Sequence, residues 1–108
     1  LSGWIGVDFD GTLAYYDGWK GEDVLGEPVM VMLERVRGWI ASGVEVRIVT
    51  ARADGGAQQR RVEDWTNKHL GQKLRVTREK DFQMRELWDD RAVQVIPNTG
   101  QRVDGLHD

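Results

Sequence analysis

The chain has 108 residues, 40% of them hydrophobic and 31% charged, with 13 glycines and 2 prolines. That length suits one compact domain over 1–108, and the composition excludes disorder and collagen-like order. With no cysteine and a net charge of −3, disulfides, thiolate zinc sites, a cysteine nucleophile and a broad basic nucleic-acid surface are excluded, leaving room only for a local basic groove.

His69 and His107 cannot form a His-rich metal site, so oxygen ligands, and hence Mg²⁺ or a similar hard cation, are what the chain offers. The longest apolar run, Pro28 to Leu33, is far short of the roughly 20 residues that cross a bilayer. No basic segment followed by an apolar one stands at the N-terminus, so a cytoplasmic chain with no membrane partner is expected.

In chain order, Trp4-Ile5-Gly6-Val7 reads as a buried strand that stops abruptly at Asp8-Phe9-Asp10-Gly11-Thr12. Leu13 to Glu27 has no periodicity and reads as an irregular flap. Pro28 fits the first turn of a helix whose apolar stripe is Val29, Met32, Leu33, Val36 and Ile40, ended by Gly43 in a left-handed cap. Val44 to Val49 alternates as a second strand and ends at Thr50-Ala51-Arg52. A second helix carries Val62, Trp65 and His69 on one side and stops at Gly71. Leu74 to Thr77 predicts a third strand, and Leu87-Trp88 a short fourth that runs into Asp89-Asp90. Ala92 to Ile96 fits either a strand or a helical turn. The interval from Thr77 to Leu87 is short for a parallel crossover, so its helix is expected to shrink to a turn around Phe82 to Met84.

Strands alternating with helices predict an α/β fold with a parallel sheet, whose ligands bind beyond the carboxyl ends of the strands. The strand tips then gather Asp8, Asp10, Thr50, Lys80, Asp89 and Asp90 in one pocket. Four neighbouring carboxylates repel unless a cation compensates them, which implies Mg²⁺ and a phosphorylated substrate. Lys80, the Thr50 hydroxyl and the loop amides of Gly11 and Thr12 are candidates to hold phosphoryl oxygens. An aligned carboxylate can attack phosphorus, and a second can protonate the leaving alkoxide and then deprotonate water.

The run VDFDGTL at Val7 to Leu13 resembles the first motif of the haloacid dehalogenase-like (HAD) superfamily. The run into Thr50, Lys80 and the Asp89-Asp90 step resemble the second, third and fourth motifs in order. The resemblance implies a Rossmann-like three-layer sandwich and a Mg²⁺-dependent phosphatase. It makes Asp8 the nucleophile of a phosphoaspartate mechanism and Asp10 the general acid and base. It further implies that Asp8 ligates the metal through its side chain and Asp10 through its backbone carbonyl, with Asp89 and Asp90 completing the site, either one touching the ion directly. Thr50 and Lys80 would grip the phosphoryl group. Asp89-Asp90-Arg91, Val93-Gln94-Val95, Arg52 and Lys80-Asp81 are also similar to the phosphatase half of bacteriophage-type polynucleotide kinases, which removes 3′-phosphates. The 38 positions separating Thr12 from Thr50 leave no room for a cap domain. A capless site implies a large or protruding phosphoester, such as a nucleic-acid 3′ end, or a homo-oligomer that covers the site.

Each residue also has a plainer reading. The aspartate pairs suit strand-end turns, and Asp89-Asp90 could partner Arg91. Thr50 could simply end a strand, while Lys80 lies in the charged stretch Arg78 to Asp81 and Arg78 rivals it. Arg52 could grip a substrate phosphate or form a surface ion pair. Tyr15, Tyr16 and Trp19 could stack on a base, although packing of the flap on the core is the use the sequence favours. Trp4, Trp39, Trp65 and Trp88 read as packing residues and His69 as a helix-end residue. A phosphotransferase and a non-catalytic phosphate-binding module are the alternatives to a hydrolase.

Overall fold

Four strands and two helices follow in the order β1 (Trp4–Asp8), α1 (Met30–Ala41), β2 (Glu45–Val49), α2 (Ala57–Leu70), β3 (Arg75–Thr77) and β4 (Met84–Trp88). They are seen in a computed structural model that describes residues 2–106, so His107 lies outside the described residues. The sheet order is β3-β2-β1-β4 and every pairing is parallel. Parallel crossovers are right-handed, so the two that step from β1 through β2 to β3 place α1 and α2 on one face of the sheet. The return from β3 to β4 crosses to the opposite edge on the other face.

Period-two alternation sorts the strand residues between those faces. Ile5, Val7, Val46, Ile48 and Val76 meet Leu33, Val36, Val62 and Trp65 in the main core, with Phe9 and Leu13 closing its end. Fully burying each such aliphatic or aromatic side chain contributes about 1.5–3 kcal/mol, and this cluster holds the helices on the sheet. Phe9 meets Trp65 edge to face with centroids 4.9 Å apart. Trp4 is equally buried yet outside that cluster, because it points to the other face. There the Arg47 guanidinium lies 4.3 Å from the Trp4 ring centroid, and Asp81 accepts a hydrogen bond from Trp4 Nε1 at 2.8 Å. The third layer of this Rossmann-like sandwich is therefore the extended return segment, in which a turn at Asp81 to Met84 stands where a helix would be.

The helix boundaries fall close to their sequence signals. Gly71 caps α2 in the left-handed conformation, and Gly43 follows α1 at φ +82°. Pro28 does not enter α1: it bridges Ala14 antiparallel, and Tyr15 N–H donates to the Glu27 carbonyl, so the proline closes the neck of the flap instead. β4 is longer than its apolar pair, because at a sheet edge Arg85 and Glu86 can face water and break the hydrophobic signature. Val95 pairs only with Arg102 in an isolated antiparallel bridge, so Ala92 to Ile96 is neither a ladder strand nor a helical turn. Among the described residues no helix is long and apolar enough to cross a membrane.

Candidate active site

A parallel sheet directs its strand ends to one edge, and the polar tips of β1, β2 and β4 meet there. Asp8, Asp10, Thr50, Arg52, Asp89 and Asp90 line a cavity of about 880 Å³, together with Tyr16, Trp19, Gln58 and Arg91. One carboxylate oxygen from each of Asp8, Asp89 and Asp90 lies within 4.8 Å of the other two. The Asp10 carboxylate is not in that group, being turned toward Arg52.

Thr12 joins the tip of β1 to the tip of β4. Its Oγ1 accepts from the Asp90 amide at 3.0 Å and lies 3.3 Å from both Asp8 Oδ2 and Asp90 Oδ1 as a donor. The turn that carries it is tight: Gly11 N–H donates to the Ala14 carbonyl, and the amides of Thr12, Leu13 and Ala14 all donate to the Phe9 carbonyl. The Gly11 and Thr12 amides are thus used by the turn itself, and the expectation that they hold phosphoryl oxygens is corrected. Gly11 is required because its φ is +88° and a Cβ there would stand 2.6 Å from Asp90 Oδ2.

Arg52 is 4% exposed and no surface residue. Its Nε and Nη2 donate to the two Asp10 oxygens at 2.7 and 3.1 Å, while Nη1 and Nη2 reach the carbonyls of Glu22 and Val24 in the flap. A planar guanidinium held this way positions Asp10 and the flap: the ion pair expected of Arg52 is present, but it is buried rather than at the surface. Each Asp10 oxygen keeps a second lone pair for other partners. Thr50 is buried, and its Oγ1 accepts from the Arg52 amide at 3.1 Å, which leaves its hydroxyl proton free to be donated into the cavity.

Lys80 is exposed and lines neither the main cavity nor a smaller one that also contains Asp8. Arg78, one residue past β3, lines the smaller one with Asp8, Thr50 and Asp89. Its Nε and Nη2 donate to the carbonyls of Ala53 and Ala51, fixing the side chain against the loop after β2. The flap aromatics do not pack on the core: Tyr15, Tyr16 and Trp19 are exposed, and Trp65 Nε1 joins Arg52 in tying the flap down by donating to the Gly26 carbonyl at 2.9 Å.

Burial pushes the Asp8 carboxyl from 3.8 up to about 7, helped by hydrogen bonding to Asp90 and by the charge of Asp89, against one opposing backbone bond from Phe9. Three carboxylates so placed hold negative charge at a cost that a cation would relieve. The donor set is all oxygen and includes no cysteine or histidine, which fits a hard divalent ion such as Mg²⁺.

No protein-family model and no curated protein matches the chain. Among solved structures, that of a conserved protein from Bacteroides thetaiotaomicron is similar over 100% of this chain and 84% of that one, with a TM-score of 0.64 and 17% identity. That likeness is one of fold. Fold and cavity together define a Rossmann-like α/β domain with a carboxylate-rich pocket at the carboxyl edge of its sheet.

Proposed function

We propose that the chain is a Mg²⁺-dependent phosphomonoester hydrolase of the HAD type, working through a phosphoaspartate on Asp8. The observation that carries the reading is the convergence of Asp8, Asp89 and Asp90 oxygens beside a separately held Asp10, in one open cavity with the Thr50 hydroxyl. Asp8, Asp89, Asp90 and the Asp10 carbonyl would hold Mg²⁺, which when bound would neutralise charge on the carboxylates and the phosphoryl group.

The chain's own residues divide the remaining work. An Asp8 oxygen attacks phosphorus, the ester P–O bond breaks, and Asp10, which enters the step protonated, gives its proton to the departing alkoxide. Asp10 then takes a proton from water, whose oxygen attacks the phosphoaspartate, so that inorganic phosphate leaves and the Asp8 carboxylate is restored. Thr50 donates to a phosphoryl oxygen, and Arg78 is better placed than Lys80 to balance its charge. Arg52 keeps Asp10 in register through both steps.

The test is hydrolysis of p-nitrophenyl phosphate with Mg²⁺, with chelator, and in Asp8→Asn. Expected is turnover that needs the metal and falls by at least 10³-fold in the variant, the order that loss of a nucleophile brings. Full turnover in Asp8→Asn refutes the covalent route. Phosphate binding with no turnover across nucleotides, sugar phosphates and aryl phosphates would instead make the domain a phosphate-binding module. Transfer of the phosphoryl group to an added alcohol would make it a phosphotransferase.

A further inference from the structure

Phosphoryl chemistry at Asp8 does not account for the aromatic side of the cavity. Tyr16 and Trp19 are 43% and 58% exposed, yet both line the space that holds Asp8, Asp10 and Thr50. An aromatic that fastens a loop to a core hides its ring, and these do not. Trp19 is nevertheless fixed in place. The Arg52 guanidinium carbon lies 4.9 Å from its ring centroid, and Arg52 is itself immobilised by Asp10 and two flap carbonyls. A cation over an indole face is an attractive contact, so the ring is backed on one side while much of its surface stays open. At about 880 Å³ the cavity is several times larger than a phosphoryl group needs and falls within the range of small-molecule sites. Arg91, which makes no ion pair among the described residues, and Gln58 also line it, offering a cation and an amide to the rest of a ligand.

We infer that the substrate is a phosphoester whose alcohol carries a planar ring, in chemical class a nucleoside phosphate, with the ring stacked on Trp19 beside Tyr16 and the phosphoryl group at Asp8. The inference rests on the proposed hydrolysis for the fate of the phosphate, so recognition is measured apart from turnover. Asp8→Asn with Mg²⁺ is titrated calorimetrically with 3′-AMP, 5′-AMP, a dinucleotide bearing a 3′-phosphate, and glycerol 2-phosphate as the ringless control.

One base–aromatic stack predicts that the ring-bearing ligands bind roughly 5- to 100-fold more tightly than the control. Adding Trp19→Leu, which keeps an apolar cover over Arg52 but has no ring, removes the difference, and Trp19→Phe restores most of it. In the wild type the same ordering is expected in kcat/KM. Equal binding of ringed and ringless ligands, or a loss in Trp19→Leu that is the same for both, overturns the stacking site whatever the turnover. A Trp19-dependent ring preference in a protein that hydrolyses no phosphomonoester leaves the stacking site standing and refutes the hydrolase. Tighter binding of the dinucleotide than of either mononucleotide assigns the end of a strand as the source of the ring, and the reverse order assigns free nucleotides.

Discussion

Burial, and after it Asp90 and Asp89, push the Asp8 carboxyl from 3.8 up to about 7. A carboxyl whose folded pKa lies above its unfolded value binds more protons in the native state, so its own contribution to stability is greatest in acid and is lost as pH rises from about 4 through 7. At full strength a rise from 3.8 to about 7 amounts to about 4 kcal/mol. Solvent screening at a carboxyl that is partly exposed reduces this to about 2 kcal/mol, or about 10 °C in Tm for a domain of this size. The assay is thermal unfolding of chelator-treated wild type and Asp8→Asn between pH 4.5 and 8.5. Expected is a wild type that falls steadily below the variant as pH increases and lies about 2 kcal/mol below it at pH 8. Mg²⁺ at one hundred times its Kd should restore about 2.7 kcal/mol at pH 8. Its apparent affinity should then drop roughly tenfold per pH unit between 7 and 5, because a proton must leave before the ion binds. Parallel curves for the two proteins, with Mg²⁺ affinity flat down to pH 5, would show that Asp8 is an ordinary carboxylate and refute the crowding of charge at this edge.

Arg52→Met strands a partly buried Asp10 carboxylate and two flap carbonyls, and should cost about 2–3 kcal/mol in denaturant unfolding, somewhat under the cost of breaking a fully buried pair. The same change in an Asp10→Asn background should cost less, and Arg52→Lys should recover only part because it lacks the fork. Gly11→Ala forces a Cβ against Asp90 at positive φ, so a loss of about 1–2 kcal/mol is expected in thermal unfolding together with weaker Mg²⁺ binding by calorimetry. Arg78→Ala should lower kcat/KM for aryl phosphates by tenfold or more, on the order of one charge-assisted bond, whereas Lys80→Ala should change it less than twofold. A larger loss in Lys80→Ala would return the phosphoryl grip to the lysine.

The strand tips of the site are legible in the sequence. Asp8, Thr50, Asp89 and Asp90 each follow an apolar strand run, and in a parallel sheet that placement alone brings them to one edge. An ion pair at Arg52 is legible in the sequence, but its burial and its partners are not, because they are set by how the flap folds back: Asp10 lies 42 positions away, and the Glu22 and Val24 carbonyls are anonymous in any sequence. The amides of Gly11 and Thr12 read as phosphoryl donors because the sequence does not show which way a turn's amides point, and here the Ala14 and Phe9 carbonyls take them; the link from the Thr12 hydroxyl to Asp90, 78 positions on, has no local signature at all. Pro28 carried a valid helix-start signal, overridden by its bridge to Ala14. Lys80 matches a motif by order, but it is exposed, and Arg78, one residue past β3, is the cation that lines the smaller cavity with Asp8.

The chain sets an arginine over a tryptophan three times, Arg35 over Trp88 among them, and the contrast between the other two bears on what the cavity is for. On the far face Arg47 covers Trp4, whose indole N–H is bonded to Asp81 and whose surface is 1% exposed. That pair closes a sheet face that lacks a helix, and burial of both ring surfaces is the result. At the site edge Arg52 covers Trp19 in the same way, but the ring remains 58% exposed and faces the pocket of Asp8. If the second stack served only packing, the fold that hides Trp4 with a single short return segment had the flap carbonyls, Tyr16 and Val24 at hand to hide Trp19 as well. It instead spends a buried arginine to hold an open indole beside a carboxylate cluster. A packing role predicts that Trp19→Leu and Trp4→Leu lose stability alike. A binding role predicts that Trp4→Leu loses about 3 kcal/mol, as a large buried side chain should, and that Trp19→Leu loses well under half of that while its ring-bearing ligands dissociate faster.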